Sequence, residues 1–204
     1  MSPVRPATPA DVPRIVAMVH ELAAYERAPE KCHLTEEQLH SALFAERSAL
    51  FGHVAEIAGD GGPRLGGFAL WFLNFSTWHG THGIYLEDLY VDPTLRGSGL
   101  GTQLLTELAR ICVQRGYRRL EWSVLDWNAP ALGFYRSLGA VTMDDWTVNR
   151  LSGEALERLG ATTLGTDPSY PARTAPAPVP PAAPERDTVI DGSAAAMSEM
   201  RGQR

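Results

Sequence analysis

The fold of this chain is decided by the stretch Val91-Asp-Pro-Thr-Leu-Arg96-Gly97-Ser98-Gly99-Leu100-Gly101-Thr102-Gln103-Leu104-Leu105. An apolar strand ends here, three glycines alternate over five residues, and an amphipathic helix begins at once. Glycine has no Cβ and readily takes positive φ, so the backbone can come close to a ligand. The unpaired N–H groups and the positive dipole end of a helix start attract an anion. The stretch therefore predicts an anion site, and a pyrophosphate is its natural occupant.

Two other pyrophosphate motifs fit this loop less well. A Rossmann fingerprint has its third glycine one position later and an acidic residue about 20 positions further on. Glu121 lies at about that distance, but in the front half of its predicted strand. No Walker lysine follows the loop, so a nucleoside triphosphate site is not supported. A glycine-rich connector without a ligand is the remaining alternative.

The charge balance limits the kind of partner. The 204 residues include 24 acidic and 18 basic side chains, a net charge of −6. This balance argues against general binding of nucleic acid, which needs a basic face. It favours a cationic substrate through long-range attraction, or it serves solubility alone.

The chain contains no run of apolar residues close to the ~18–20 that span a bilayer. Its N-terminal residues lack the apolar stretch of a secretory signal. Cys32 and Cys112 form neither a disulfide framework nor a zinc site. We therefore expect a cytoplasmic protein that binds neither a membrane nor a metal ion.

The composition changes near residue 165. Seven of the seventeen residues from Pro168 to Pro184 are proline, which excludes a helix or a central strand. We expect one folded domain over residues 1–164 and a Pro/Ala-rich disordered tail over residues 165–204. Within the domain, apolar spacing and turn signals predict an α/β fold, a mixed sheet with helices on its faces. Helices are predicted over residues 11–26, 35–46, 102–115, 129–137 and 152–159, and strands over 50–58, 65–74, 84–91, 119–125 and 146–149.

Specific residues are expected to begin or end these helices. Asp11 is a predicted N-cap, and Thr35 with Gln38 fits the capping-box pattern. Ser152 is a predicted cap of the last helix, and Gly139 is a plausible stop for the helix before it.

The glycine loop resembles the acetyl-CoA loop of the GNAT superfamily of N-acetyltransferases. Further motifs, in order and spacing, look like the diamine (spermidine/spermine) and thialysine acetyltransferase subgroup and cover about Val4 to Leu159. These motifs are Arg5-Pro-Ala-Thr8, His20-Glu-Leu-Ala-Ala-Tyr25-Glu26, Tyr85-Leu-Glu87-Asp88-Leu-Tyr-Val91, Trp127-Asn128-x-Pro130 and Phe134-Tyr135-Arg-Ser-Leu-Gly139-Ala140.

The resemblance implies a GNAT fold, in which the mixed sheet splays after its fourth strand and acetyl-CoA lies in the opening. Three segments would contact the co-substrate. The implied contacts are the backbone of Leu89, Tyr90 and Val91, the loop residues Arg96, Gly97, Ser98, Gly99, Leu100, Gly101 and Thr102, and the turn Asn128, Ala129, Pro130 and Ala131.

The resemblance also implies catalytic and substrate-binding residues. Tyr135 matches the tyrosine that protonates the departing CoA thiolate, and Glu87 matches an acid that takes a proton from the amine. Because side chains alternate along a strand, Asp88 is expected to face away from Glu87. The amine pocket would be lined by Tyr25, Glu26, Glu87, Glu121, Trp122, Ser123 and either Asp144 or Asp145.

We therefore interpret the chain as an N-acetyltransferase that moves acetyl from acetyl-CoA to a primary amine by direct attack. The expected acceptor is a polyamine, a diamine or a lysine analogue, and the resemblance implies a homodimer. Two alternatives stay open. One is an enzyme for another amine, such as an amino acid, a drug or a protein N-terminus, and the other is a non-catalytic acyl-CoA sensor.

Overall fold

The computed structural model describes residues 3–59 and 62–161. The chain divides into two compact units, residues 1–140 and 141–204. The predicted tail, residues 165–204, lies outside the described residues. The strands are β1 (Val4–Pro6), β2 (Leu50–Ile57), β3 (Arg64–Ser76), β4 (Thr81–Val91) and β5 (Leu120–Glu121). The helices are α1 (Val12–Tyr25), α2 (Glu36–Phe44), α3 (Leu100–Arg115), α4 (Ala129–Ser137) and, in the second unit, α5 (Gly153–Gly160).

The five strands form one mixed sheet in the order β1-β2-β3-β4-β5. The first four are antiparallel, and β5 runs parallel to β4. Only Ile84 and Tyr85 of β4 pair with β5, whereas β4 continues to Val91 with β3 alone beside it. The sheet therefore opens after Tyr85, which confirms the predicted mixed sheet splayed after its fourth strand.

Helices cover both faces of the sheet, as the sequence predicted. On one face α1 and α2 pack against β2, β3 and β4, with Ile15, Met18 and Phe68 fully buried. On the other face α3 packs against the same strands through the apolar stripe of Leu104, Leu105, Leu108, Ile111 and Cys112. These two cores fix α1 and α3 on opposite sides of β4, and the ends of both helices reach the opening.

Two of the four predicted helix ends, at Thr35 and Gly139, are confirmed. The Thr35 hydroxyl accepts a hydrogen bond from the Gln38 backbone amide at 3.2 Å, and Gln38 Oε1 accepts one from the Thr35 backbone amide at 3.0 Å. Gly139 has a φ of 86° directly after α4, as a C-terminal glycine should. Asp11 precedes α1 but makes no capping bond to it. Its carboxylate instead accepts bonds from the Thr8 amide and from Arg5.

Four elements differ from the prediction. The three-residue β1 was not predicted, because a segment so short shows no alternation. The strand predicted over residues 119–125 pairs only at Leu120 and Glu121, because β4 and β5 diverge beyond them. Residues 146–149 form no strand, and Trp146 and Val148 are exposed. Ser152 stands at the start of α5 but makes no side-chain capping bond.

Candidate active site

The opening of the sheet brings three segments of the first unit together. They are the C-terminal end of α1, the half of β4 beyond Tyr85 with the glycine loop after it, and the segment from β5 through α4. Two contacts of Tyr25 join them. Its hydroxyl donates to Asn128 Oδ1 at 3.1 Å, and the Arg96 guanidinium lies 4.7 Å from the centre of its ring. The residues predicted from these three segments therefore surround one opening.

The glycine loop places an uncapped helix start beside this opening. Asp92 closes the first turn by accepting a hydrogen bond from the Thr94 amide at 2.9 Å. Gly97 and Gly99 then have φ values of 81° and 90°, in the left-handed region that favours glycine. Within the described chain, a Cβ at Gly97 would meet nothing within 4 Å, and no side chain caps α3 at Gly99. The loop thus offers unpaired N–H groups and open space, the arrangement that an anion needs.

An aromatic cluster connects the loop to the segment before α4. The Tyr25 and Trp127 rings lie 6.0 Å apart, and the Arg27 guanidinium lies 4.8 Å from the centre of the Trp127 ring. Asn128 also accepts a hydrogen bond from the Ala131 amide at 3.3 Å and so caps the start of α4. Arg27 and Trp127 were not among the predicted site residues. The cation–π contacts depend on packing between distant segments, and no local sequence pattern predicts them.

Tyr135 lies on α4 among aromatic side chains of the opening. Its ring centre is 4.8 Å from that of Trp122 and 5.2 Å from that of Phe134. Burial, and then the negative charge of Glu26, raise the pKa of Tyr135 to about 12. Its hydroxyl makes no hydrogen bond to any described residue. The phenol therefore keeps its proton at neutral pH and has it free to donate.

Three carboxylates influence one another near this tyrosine. Burial, and then the charges of Glu87 and Glu26, raise the pKa of Asp88 to about 6. Burial also raises the pKa of Glu26. Glu87 is exposed. The pocket is thus acidic, and Asp88 gains or loses its proton near pH 6.

A bulge explains why sequence reasoning gave Asp88 no role. Asp88 pairs with Leu70, and Leu86 pairs with Trp71, so Glu87 is an extra residue with no partner on β3. Strict alternation, which the sequence analysis assumed, does not hold across this point. Asp88 lies on the α1 face of the sheet, as buried Tyr90 does. The charge of Glu26, at the end of α1, therefore acts on the Asp88 carboxyl. The signal in the sequence for a role of Asp88 was the pair of consecutive acids in an otherwise apolar strand.

The raised pKa predicts that Asp88 destabilises the fold above pH 6. Between the ordinary value of 3.8 and about 6, the unfolded chain loses this proton while the folded protein retains it. Ionisation of Asp88 therefore lowers the free energy of unfolding by an amount on the order of 1–3 kcal/mol. This loss is absent below about pH 4 and complete above about pH 6. Asp88→Asn should raise the melting temperature at pH 8, with a difference that shrinks towards zero as the pH falls to 4. Differential scanning calorimetry of this variant beside Asp144→Asn, an exposed acid in a turn, checks the result. If Asp88→Asn shifted the melting temperature equally at pH 8 and pH 4, the prediction would be contradicted.

The remaining predicted residues lie in different surroundings. Leu89 and Val91 pack on the α3 face, but the Tyr90 side chain is buried on the other face and donates to Glu21 at 2.8 Å. The Ser123 and Tyr85 hydroxyls are 2.8 Å apart beside the opening. Glu121 is paired with Arg119 at 2.9 Å and accepts from Asn74 at 2.7 Å.

Asp144 belongs to the second unit, in which it is exposed in a turn. No described helix is long and apolar enough to span a membrane. The described residues also contain no cluster of three or more potential metal ligands.

The site as a whole has the parts that a CoA thioester and an amine require. The open glycine loop fits a pyrophosphate, and the gap beside β4 presents the backbone edge of a strand. The unpaired phenol of Tyr135 fits a departing sulfur, and the carboxylates fit a cationic acceptor. These features fit an acyl transferase that uses CoA.

Comparison with known proteins identifies the family. The Acetyltransferase (GNAT) family matches residues 15–140, and the chain belongs to this family. A thialysine N-epsilon-acetyltransferase of Bos taurus is 35% identical over 163 residues, 76% of this chain and 95% of that protein. An L-ornithine N5-acetyltransferase of Arabidopsis thaliana is 30% identical over 199 residues, 78% of this chain and 87% of that protein.

A solved structure supports the same assignment. An integron cassette protein from the mobile metagenome of V. cholerae superposes with a TM-score of 0.65 at 27% identity, covering 78% of this chain and 97% of that one. The predicted fold, the GNAT resemblance and its thialysine/diamine subgroup are confirmed. The protein is an acetyl-CoA-dependent N-acetyltransferase.

Proposed function

We propose that the acceptor is a small cationic amine with a second charged group, of the diamine, polyamine or lysine-analogue type. The observation that carries this proposal is the group of three carboxylates, Glu26, Glu87 and Asp88, near Tyr135. An alkyl diammonium or a lysine-like side chain offsets the mutual repulsion of these acids. Thialysine and ornithine, the substrates in the names of two relatives, both carry a primary amine at the end of a short chain.

The amine must lose a proton before it attacks a carbonyl. Asp88, with a pKa raised to about 6, is ionised at pH 7–8 yet basic enough to accept that proton directly or through water. Glu87, the base expected from the sequence, is its neighbour on the bulge and shares the task of attracting the ammonium group. Glu26 adds attraction from the end of α1, and Tyr25, Trp122 and Ser123 line the acceptor side.

Acetyl-CoA supplies an acyl group on a sulfur that leaves as a thiolate. In this proposal the Tyr135 hydroxyl donates its proton to that sulfur. The backbone edge of Leu89, Tyr90 and Val91 holds the pantetheine arm. The pyrophosphate is held by the loop Arg96, Gly97, Ser98, Gly99, Leu100, Gly101 and Thr102, with Asn128, Ala129, Pro130 and Ala131 as a further contact. No covalent enzyme intermediate is needed, because the amine attacks the thioester directly.

One of the residues expected to bind the amine carries less weight. The carboxylate of Glu121 is already occupied by Arg119 and Asn74. We retain Glu121 as an outer contributor to the attraction of a cation, with a smaller effect on KM than Glu26.

Charge-removing variants test the roles of the acids. Asp88→Asn should lower kcat/KM for the best diamine by about 10²-fold and remove a pH-rate limb near pH 6, because a general base is lost. Glu26→Gln should raise KM and leave kcat nearly unchanged, because only attraction is lost. Stopped assays of CoA thiol release from pH 5 to 9 give both constants.

Glu46→Gln is the matched control, since it removes the same charge from an exposed position after α2. If Glu87→Gln abolishes the limb near pH 6 and Asp88→Asn does not, the base is Glu87. If all three site variants resemble Glu46→Gln, the cationic acceptor is wrong and the other amines become the better explanation.

We also propose a homodimer in the cytoplasm. The described part of the second unit exposes an unusual set of large apolar side chains, and a second copy of the chain is a natural cover for them. The free thiols of Cys32 and Cys112 suit a reducing compartment. The exposed set is Val141, Met143, Trp146, Val148, Leu151, Leu156 and Leu159.

Light scattering after size exclusion tests the dimer. The wild-type chain should elute at twice its 22.2 kDa mass, and Trp146→Asp should shift it towards the monomer, because a buried charge without a partner is costly. Trp78→Asp, at a tryptophan of the first unit that is even more exposed, is the control and should leave the mass unchanged. A monomeric wild type would contradict the proposal.

A further inference from the structure

A second cavity, of about 400 Å³, lies beside the C-terminal half of α3. Its walls come from the end of β1, the end of α2, the start of β2 and one side of α3. Glu107, the first α3 residue in the wall, is seven residues and about 10 Å along the helix axis from Leu100. None of the lining residues belongs to the active site described above, so the cavity is separate from it.

A buried histidine presents a hydrogen-bond donor to this cavity. His53 is only 6% exposed, and its Nδ1 accepts a hydrogen bond from the Trp71 indole at 3.1 Å. Burial lowers the pKa of His53, so the ring is neutral at pH 7, and its one proton is therefore on Nε2. Among the described residues Nε2 has no hydrogen-bond partner. The residue is buried but this nitrogen borders the cavity, so its N–H is available to an acceptor that occupies the cavity.

The nearest polar group defines what that occupant must offer. Glu107 Oε1 lies 4.0 Å from His53 Nε2, too far for a direct hydrogen bond. Hydrogen bonds from Arg110 lower the pKa of Glu107, so it is ionised and can only accept. One hydroxyl group between the two satisfies both, because it accepts from Nε2 and donates to the carboxylate. A ligand carboxylate would be repelled by Glu107 at the same place.

The rest of the cavity is suited to an aromatic ring. Phe51 and Trp71, whose ring centres are 4.5 Å apart, line it together with Leu43, Phe44 and Leu50. Its volume lies within the range of small-molecule sites. Glu107 and Arg110 neutralise each other, which leaves Arg115 at the edge as the remaining charge of the lining.

We propose that this cavity binds a small neutral aromatic molecule with one hydroxyl group, a phenol or an aryl alcohol. Its hydroxyl bridges His53 Nε2 and the Glu107 carboxylate, and its ring packs on Phe51 and Trp71. The site is independent of the acetyl-CoA and amine sites. A negative result for this proposal would therefore leave the proposed acceptor unaffected, and the reverse also holds.

Three probes of similar size test the hydroxyl requirement. Ligand-observed NMR titration of the full-length protein should give 4-ethylphenol a dissociation constant of about 1 mM or tighter. 4-Ethylanisole accepts a hydrogen bond but donates none, and it should bind about 10-fold more weakly. 4-Ethylbenzoate, which is negatively charged, should bind more weakly still.

Two variants on the same helix locate the site. Gln114→Trp introduces a bulky ring at an exposed residue of the cavity edge and should abolish binding of 4-ethylphenol. Val113→Trp places the same ring at a neighbouring exposed position outside the lining and should leave binding unchanged. Saturating CoA should not displace the probe. Absence of binding up to 10 mM, equal affinity for 4-ethylanisole, full binding by Gln114→Trp or competition by CoA would each overturn the proposal.

Discussion

Tyr135→Phe should lower kcat by about 10²–10⁴-fold while the dissociation constant of acetyl-CoA stays within a few-fold of wild type. This loss corresponds to roughly 3–5 kcal/mol of activation free energy. The hydroxyl has no partner among the described residues, and burial keeps it protonated by raising its pKa to about 12. The proton is thus available where a thiolate forms in a site with little water. A thioester sulfur in the ground state is a poor acceptor, so binding should change much less than rate.

The phenyl ring that this variant retains would preserve the packing against Trp122 and Phe134. Tyr117→Phe is the matched control, because Tyr117 contacts His82 outside the opening and should keep full activity. Single-turnover kinetics measure the chemical step, and calorimetry measures acetyl-CoA binding. A Tyr135→Phe enzyme with more than about a third of wild-type kcat would reduce Tyr135 to a packing residue and favour water as the proton source.

Gly99→Val is expected to weaken CoA binding by about 10–100-fold, because one or two charge-assisted hydrogen bonds to the pyrophosphate would be lost. An added Cβ at Gly99 meets only the Gln103 side chain, at 3.8 Å, so the protein itself has room for it. The side chain would occupy the space in which the anion approaches the helix start. The φ of 90° adds backbone strain of about 1–3 kcal/mol to the folded state.

Gly116→Val separates strain from blockage of the site. Gly116 lies at the other end of the same helix with a φ of 68° and no described atom within 4 Å of an added Cβ. This control should lower the melting temperature as much as Gly99→Val and leave CoA affinity unchanged. If Gly99→Val bound CoA with wild-type affinity, the loop would not be part of the co-substrate site. If both variants lost CoA affinity equally, the cause would be helix strain.

The sequence predicted the elements whose signals are local. The glycine loop, the Thr35 capping box and the apolar stripe of α3 each depend on residues a few positions apart, and all three are confirmed. The order of motifs also indicated the splayed sheet, although the reason for the splay is the short pairing of β5 at Leu120 and Glu121. Most of the fold could therefore be predicted from local capping and periodicity.

The site was less predictable, because its electrostatics depend on register and packing. The bulge at Glu87 places Asp88 on the α1 face with Tyr90. The pair of consecutive acids in an apolar strand was the signal in the sequence, and it does not reveal the register. Glu121 appeared equivalent to the other acids until its pairing with Arg119 was visible. The contact between Arg27 and Trp127 joins residues a hundred positions apart. Such contacts exist only after the chain has folded.

The most direct test of the account is CoA thiol release from acetyl-CoA across a panel of amines. The panel contains thialysine, L-lysine, L-ornithine and spermidine, with benzylamine and a peptide N-terminus as amines that lack a second cationic group. We expect thiol release well above the hydrolysis rate with at least one diamine or lysine analogue, a higher kcat/KM for it than for benzylamine, and one added acetyl group in the product by mass spectrometry. Release that no amine raises above hydrolysis, or a preference for benzylamine or the peptide, would contradict it.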